Sequence, residues 1–151
     1  MSLDQEVELI RRLSIFKKID LAMLKLLCFS SERLTFEAGQ VMFNAGDPGD
    51  AAYVLIEGHV DLSVPTPTGA LVVATLGPNE ILGEIAIFAD IPRTATVTAT
   101  SRVEALRIAK DQFMAVIREN PDAALELIRI LASRLANTTA RLTQSLGSKR
   151  A

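Results

Sequence analysis

Residues 82 to 97 read LGEIAIFADIPRTATV and bring a glycine, an acid, several small residues, an arginine and a hydroxyl into one short segment. Gly83 permits close approach by a ligand and an unusual backbone angle. Glu84 to Phe88 then have room for one helical turn, whose first N–H groups lack partners within the helix and can face an anion. Arg93 adds a planar cationic fork suited to phosphate oxygens, and Thr94 a hydroxyl donor beside it. These residues together describe a phosphate cradle. Glu84 would repel a bare anion, so it implies a second part of the same ligand. An ionised carboxylate only accepts hydrogen bonds, and a sugar hydroxyl can donate one. On the residues alone, a structural Glu84 to Arg93 ion pair at a barrel rim explains the spacing equally well.

The elements that must carry this segment fall into three stretches of different period. From Asp4 to Phe29, Val7, Ile10 and Leu13, then Leu21, Leu24, Leu27 and Cys28, recur at helical spacing, which predicts two N-terminal helices within residues 4–30 and a break near Ser14 to Asp20. From residue 33 to 109 short β-rich runs alternate with turn signals such as Gly46-Asp47-Pro48-Gly49 and Glu57-Gly58. The runs are Arg33 to Glu37, Gln40 to Asn44, Ala51 to Ile56, His59 to Val64, Ala70 to Leu76, Thr94 to Thr100 and Arg102 to Ile108, a number and spacing that suit a small jelly-roll sandwich or barrel. Within TATVTAT, Ala95, Val97 and Ala99 alternate with threonines, so one face meets a core and the other something polar, water being the plainest choice.

Residues 110 to 146 return to the helical period. Asn120-Pro121-Asp122 predicts a helix start with Asn120 as cap, and the helix should run to about Leu146. Along it Ile128, Leu131, Leu135, Thr138, Leu142 and Ser145 form a heptad seam with polar residues at two of its six places. Either a homodimer through this helix or packing on the chain's own barrel would use such a seam.

The 151 residues, 49% hydrophobic and 23% charged, predict one globular domain over residues 1–151. A net charge of -2 lacks the basic excess that attracts nucleic acid. Cys28, the single cysteine, fits a reducing cytoplasm, and no apolar stretch approaches the roughly 20 residues of a membrane span.

GEIAIFADIPRTATV resembles the phosphate-binding cassette of cyclic nucleotide-binding domains, whose pattern is Gly-Glu-(Leu/Ile)-Ala, a short gap, then Pro-Arg-(Thr/Ser/Ala)-Ala-(Thr/Ser)-Val. The likeness extends to LSIFKKID, to AGQVMFNAGDPGDAAYVLIEGHVDL and to the helices that begin DQFMAVIRENPD. It implies a mostly β fold with flanking helices, an eight-stranded β-roll followed by hinge and lid helices. It also implies that Gly83 shapes the loop, Glu84 binds the ribose 2'-hydroxyl, and Arg93 and Thr94 hold the cyclic phosphate with the N–H groups of Ile85 and Ala86. The base would rest on Leu62, Val73 and Leu76, each of which is equally a plain core residue on general grounds. Arg134, Thr138 and Thr139 align with adenine contacts of the catabolite activator type, which favours cAMP, whereas Thr94 resembles a guanine-binding threonine of cGMP-preferring relatives. As polar surface residues of low helix propensity, Thr138 and Thr139 have an ordinary explanation too.

Other chemistries find little support. A cupin enzyme needs several metal-ligating histidines and the chain has only His59, beside Gly58 in a turn. Haem or iron–sulfur sensing needs an axial set or several cysteines, and Cys28 sits in an apolar helix. Neither a catalytic triad nor a phosphate-binding Gly-Lys loop is evident, so the expectation is a sensor without enzymatic activity or cofactor. A DNA-binding module after the last helix is not expected, since only GSKRA follows Leu146 and the pair Lys149 and Arg150 is too short for a DNA-binding patch.

Overall fold

The computed structural model describes residues 2–150, with side chains as far as residue 144. Helices α1 (Leu3–Ile10) and α2 (Leu21–Ser30) open the chain, joined through a 3-10 turn at Ser14–Phe16 where the helical period lapses. Ser2 starts α1 through a reciprocal cap: its Oγ accepts from the Gln5 N–H at 3.2 Å, and Gln5 Oε1 accepts from the Ser2 N–H at 2.9 Å.

Eight strands follow: β1 (Glu32–Phe36), β2 (Val41–Phe43), β3 (Ala51–Glu57), β4 (Val60–Thr66), β5 (Gly69–Leu76), β6 (Ile81–Leu82), β7 (Thr96–Ala99) and β8 (Val103–Ala109). A short helix, α3 (Glu84–Ala89), lies between β6 and β7, and α4 (Lys110–Glu119) and α5 (Pro121–Arg150) complete the order. The strands form two antiparallel four-stranded sheets, ordered β1-β8-β3-β6 and β2-β7-β4-β5. This is the β-roll with flanking helices that the cassette resemblance implies.

Two differences from the sequence expectation lie beside the cassette. The eighth strand is β6, two residues long and too short to show alternation. The run expected from Thr94 pairs only from Thr96 onward. Main-chain bonds explain the delay: the Arg93 N–H donates to Asp47 O and the Gly46 N–H to Arg93 O, both at 2.8 Å, which ties this segment to the β2–β3 loop before the ladder begins.

Strand β3, in the middle of the β1-β8-β3-β6 sheet, is buried on both sides. Ala52, Val54, Leu106 and Ile108 face the helices and pack with Phe16, Leu24 and Phe113, while Ala51, Tyr53, Leu55 and Ala105 face the roll interior with Val60, Val97 and Ala99. That double burial accounts for the unbroken apolar run AAYVL in β3. Cys28 lies in the helical core, where burial first and the Glu6 charge second push its thiol up to about 12, leaving it inert.

In α5, Ala123 and Leu127 are buried and Leu131 packs on the helical core. Leu125, Ile128, Leu135 and Leu142 instead point to solvent, each at least 60% exposed. The expected seam therefore mixes three environments, because Leu131 belongs to the core and Thr138 to the cavity described below. Ser145, its last place, lies outside the described side chains. Asn120 also differs from expectation. Its main-chain oxygen accepts the Ala124 N–H at 3.1 Å, as at a helix start, but its side-chain amide donates back to Val116 O of α4 at 2.7 Å. Helix α5 continues past the expected end near Leu146. No helix among the described residues is long and apolar enough to cross a membrane.

Candidate ligand-binding site

A cavity of about 380 Å³ lies between the β2-β7-β4-β5 sheet, α3 and α5, a size in the range of about 300–1,000 Å³ typical of small-molecule sites. Its apolar wall comes from the roll. Leu62 and Val64 share a face of β4, and β5 contributes Val73, Ala74 and Leu76. Strict alternation would send half of the β5 residues away. The register with β4 slips at this point, pairing Leu62 with Ala74 but Ser63 with Val72, and the extra residue Val73 re-aims its neighbours into the cavity.

Gly83 begins the polar end. It stands in the left-handed region at φ +85°, immediately before α3, and a Cβ there would lie 2.5 Å from Arg93 Nη1 and 3.1 Å from Ala51 O. Both the backbone angle and the close approach thus require glycine. Arg93 is 4% exposed. Its Nη1 donates to Gly83 O at 2.7 Å and its Nη2 to Ala51 O at 2.6 Å, with Asp50 Oδ1 at 3.6 Å. Burial lowers its affinity for the proton, which Tyr53, Asp50 and Glu84 partly restore. Its Nε is buried without a partner.

Glu84 is 1% exposed at the first position of α3. Oε1 accepts from Arg134 Nη1 at 2.6 Å, and Arg134 Nη2 donates to Ile81 O at 2.5 Å. The acid therefore pairs with Arg134 of α5, not with Arg93, whose own ion-pair partner is Asp50. Burial raises the Glu84 carboxyl above the ordinary range, and the Arg134 charge, the acid's own backbone N–H and Arg93 offset this in part. Oε2 is buried without a donor. Two unpartnered charged-group atoms on residues that line one cavity are unusual, because buried polar atoms are nearly always bonded and leaving one unmet costs about 1–3 kcal/mol.

Gly83, Glu84, Ile85, Ala86, Arg93 and Thr94 all line this cavity, as do Leu62, Val73, Leu76, Arg134 and Thr138. Ile85 is half exposed and Ala86 buried. Thr138 Oγ1 donates to Arg134 O at 2.9 Å, which leaves its lone pairs to the cavity. Thr139 is not among the lining residues; one position further round α5, it is exposed to solvent. Phe43, Asn137 and Arg141 also line the cavity and were not singled out from the sequence. Asn137 and Arg141 follow Arg134 by three and seven residues, the period of one helix face, and that spacing could have found them. Arg141 Nη1 donates to Val73 O at 2.7 Å across the mouth. Among the described residues no group of three His, Cys, Asp or Glu is placed to hold a metal ion.

The family profile described as "Cyclic nucleotide-binding domain" matches residues 33–120. The chain is 31% identical over 136 residues to the CRP-like cAMP-activated global transcriptional regulator of Mycobacterium tuberculosis, covering 89% of this chain and 61% of the regulator. It is 34% identical over 110 residues to the cAMP-dependent protein kinase regulatory subunit of Dictyostelium discoideum, covering 70% of this chain and 34% of the subunit. Among solved structures, the Catabolite Activator Protein of Thermus thermophilus superposes with a TM-score of 0.73 at 29% identity, covering 89% of this chain and 63% of that one. The chain thus spans less than two thirds of each of these relatives. With the profile extending from β1 through the cassette to the end of α4, this chain belongs to the cyclic nucleotide-binding domain family.

Proposed function

We propose that the whole chain is one sensor unit for a cyclic nucleotide, cAMP in first place, bound between the cassette and α5. The observation that carries this reading is a pair of opposite vacant valences on two residues that line one cavity: the buried Glu84 Oε2 without a donor and the buried Arg93 Nε without an acceptor. A ribose hydroxyl supplies the first and a cyclic phosphate the second. Thr94 and the first amides of α3, around Ile85 and Ala86, complete the anion site, and Leu62, Val73 and Leu76 receive the base. Thr138 and Arg134 stand where adenine contacts of the catabolite activator type align, and Thr138 keeps lone pairs for an exocyclic amine; the M. tuberculosis and D. discoideum relatives, described as cAMP-activated and cAMP-dependent, support cAMP as well. Thr94 in the wall favours cGMP as the second reading. Function by this account is regulatory, without catalysis or cofactor, in the cytoplasm.

Signalling follows from what the cassette touches. Phe88 of α3 meets Phe113 of α4 edge to face at 5.6 Å, and Glu84 holds α5 through Arg134. Ligand that draws the cassette inward therefore moves the hinge around Phe113 to Ile117 and closes α5 over the base, to the extent that it binds the closed arrangement more tightly. Hydrogen exchange at residues 110–146 slows on adding cAMP; unchanged exchange there contradicts this coupling.

The solvent-facing stripe Leu125, Ile128, Leu135 and Leu142 favours a homodimer through α5. Thr139 is exposed beside that stripe and in such a dimer lies near the partner helix. Sedimentation of wild type as a dimer and of Leu135→Asp as a monomer tests this. The competing module, a dimeric scaffold of the same fold with no ligand, predicts no saturable nucleotide binding in either variant.

A further inference from the structure

Arg93 is held in three ways. In its own plane it donates to Gly83 O and Ala51 O. At its edge lies Asp50 Oδ1, 3.6 Å from Nη2. Its Cζ lies over the ring of Phe43, 4.1 Å from the centroid. Tyr53 stands next to that ring, stacked at 5.8 Å and 30°, and its own centroid is 6.0 Å from the same Cζ.

The backbone spends an irregularity to put Phe43 there. Val41 pairs with Thr98 and Phe43 with Val97, so the register slips between them. In a regular strand Val41 and Phe43 would point the same way. Val41 is 44% exposed, yet both Met42 and Phe43 pack toward the roll interior and Phe43 lines the cavity. A bulge that re-aims one side chain beside a site is a common device. An aliphatic residue would fill the same space without attracting the cation, whereas the negative face of an aromatic ring stabilises a desolvated guanidinium.

We propose that Phe43, backed by Tyr53, is a positioning residue for anion binding: it fixes the plane of the Arg93 guanidinium, and with it the direction of the buried, unpartnered Nε–H that the phosphate reaches once the cassette closes on it. In-plane bonds to two carbonyls leave the guanidinium able to rock about the line joining them, and stacking against the ring beneath its Cζ removes that freedom. The role rests on the reading that Arg93 receives a cyclic phosphate; the stack itself does not.

The test has two arms. In calorimetric titrations with cAMP, Phe43→Leu binds about tenfold more weakly than wild type, while Phe43→Tyr, which keeps the ring, stays within about twofold. In an Arg93→Lys background Phe43→Leu causes no further loss, because an ammonium on a flexible stem has no plane to be held. Equal affinity of Phe43→Leu and wild type, or an equal loss in both backgrounds, overturns the positioning role. Thermal unfolding confirms that each variant folds, and Phe43→Met replaces Phe43→Leu if it does not. The second arm uses nucleotide-free protein: the Arg93 Nε–H proton resonance is displaced upfield by the ring current, loses that displacement in Phe43→Leu and keeps it in Phe43→Tyr. An undisplaced resonance overturns the stack. Wild type that binds no cAMP removes the nucleotide reading, and the role with it, while this second arm still decides whether the ring holds the guanidinium.

Discussion

The helical core and the cassette are built on different terms. Toward the helices, Phe16, Leu24, Ile108 and Phe113 fill the space with apolar groups that want nothing further. Toward the cassette, the same chain buries Glu84 and Arg93 at 1% and 4% exposure and leaves one atom of each unbonded beside a cavity. The first arrangement maximises stability through burial and close packing. The second keeps unmet polar groups in a fixed geometry, which costs stability until a complementary ligand arrives. The helical core holds the fold, and the cassette leaves charged groups unmet within it.

Substitutions in the two regions should therefore separate stability from binding. The largest loss of stability is expected from Leu24→Ala in the helical core, about 2–5 kcal/mol by urea unfolding, with the nucleotide affinity of the folded protein unchanged. Arg93→Ala reverses the pattern: it reduces cAMP affinity by about 100-fold or more in calorimetry, because the charge-assisted contacts have no substitute, with a smaller loss of stability from the freed Gly83 and Ala51 carbonyls. Glu84→Gln has a subtler effect. It weakens cAMP about tenfold but 2'-deoxy-cAMP much less, since only the former offers the hydroxyl.

The pH dependence sharpens the contrast. Burial raises the folded-state Glu84 carboxyl above its unfolded value, so the folded protein holds this proton more tightly. That contribution to stability is complete below the ordinary carboxylate range and is lost as pH rises through the raised value. Ligand-free wild type should show this decline in denaturation midpoints measured across pH, and Glu84→Gln should lack it. A wild-type profile that matches Glu84→Gln would mean that the Arg134 pair outweighs burial.

Local signals in the chain were readable and remote ones were not. The cassette was legible because its residues are contiguous and each has a chemical reason to be there; the β-roll was legible from its turns and short β-rich runs. The Glu84 to Arg134 pair joins residues fifty positions apart and depends on how α5 docks, so no spacing announces it. Phe43 escaped notice because it reaches the cavity only through a register slip in β2. The phase of α5 misled for a different reason. Leu125, Leu127, Ile128, Ile130 and Leu131 surround the helix with apolar groups, and periodicity cannot say which of them faces the core. Only docking shows that Leu127 is buried while Ile128, its neighbour, is 62% exposed.

If Glu84 and Arg93 receive one cyclic nucleotide, that ligand must stabilise the folded chain. Thermal unfolding of protein freed of co-purified nucleotide, with cAMP, cGMP and 5'-AMP at matched concentrations, tests it most directly. The expected result is stabilisation by cAMP above cGMP, about 2.7 kcal/mol at 100 times the dissociation constant, and none by 5'-AMP. No stabilisation by either cyclic nucleotide would contradict it and leave the cavity as a feature of a scaffold.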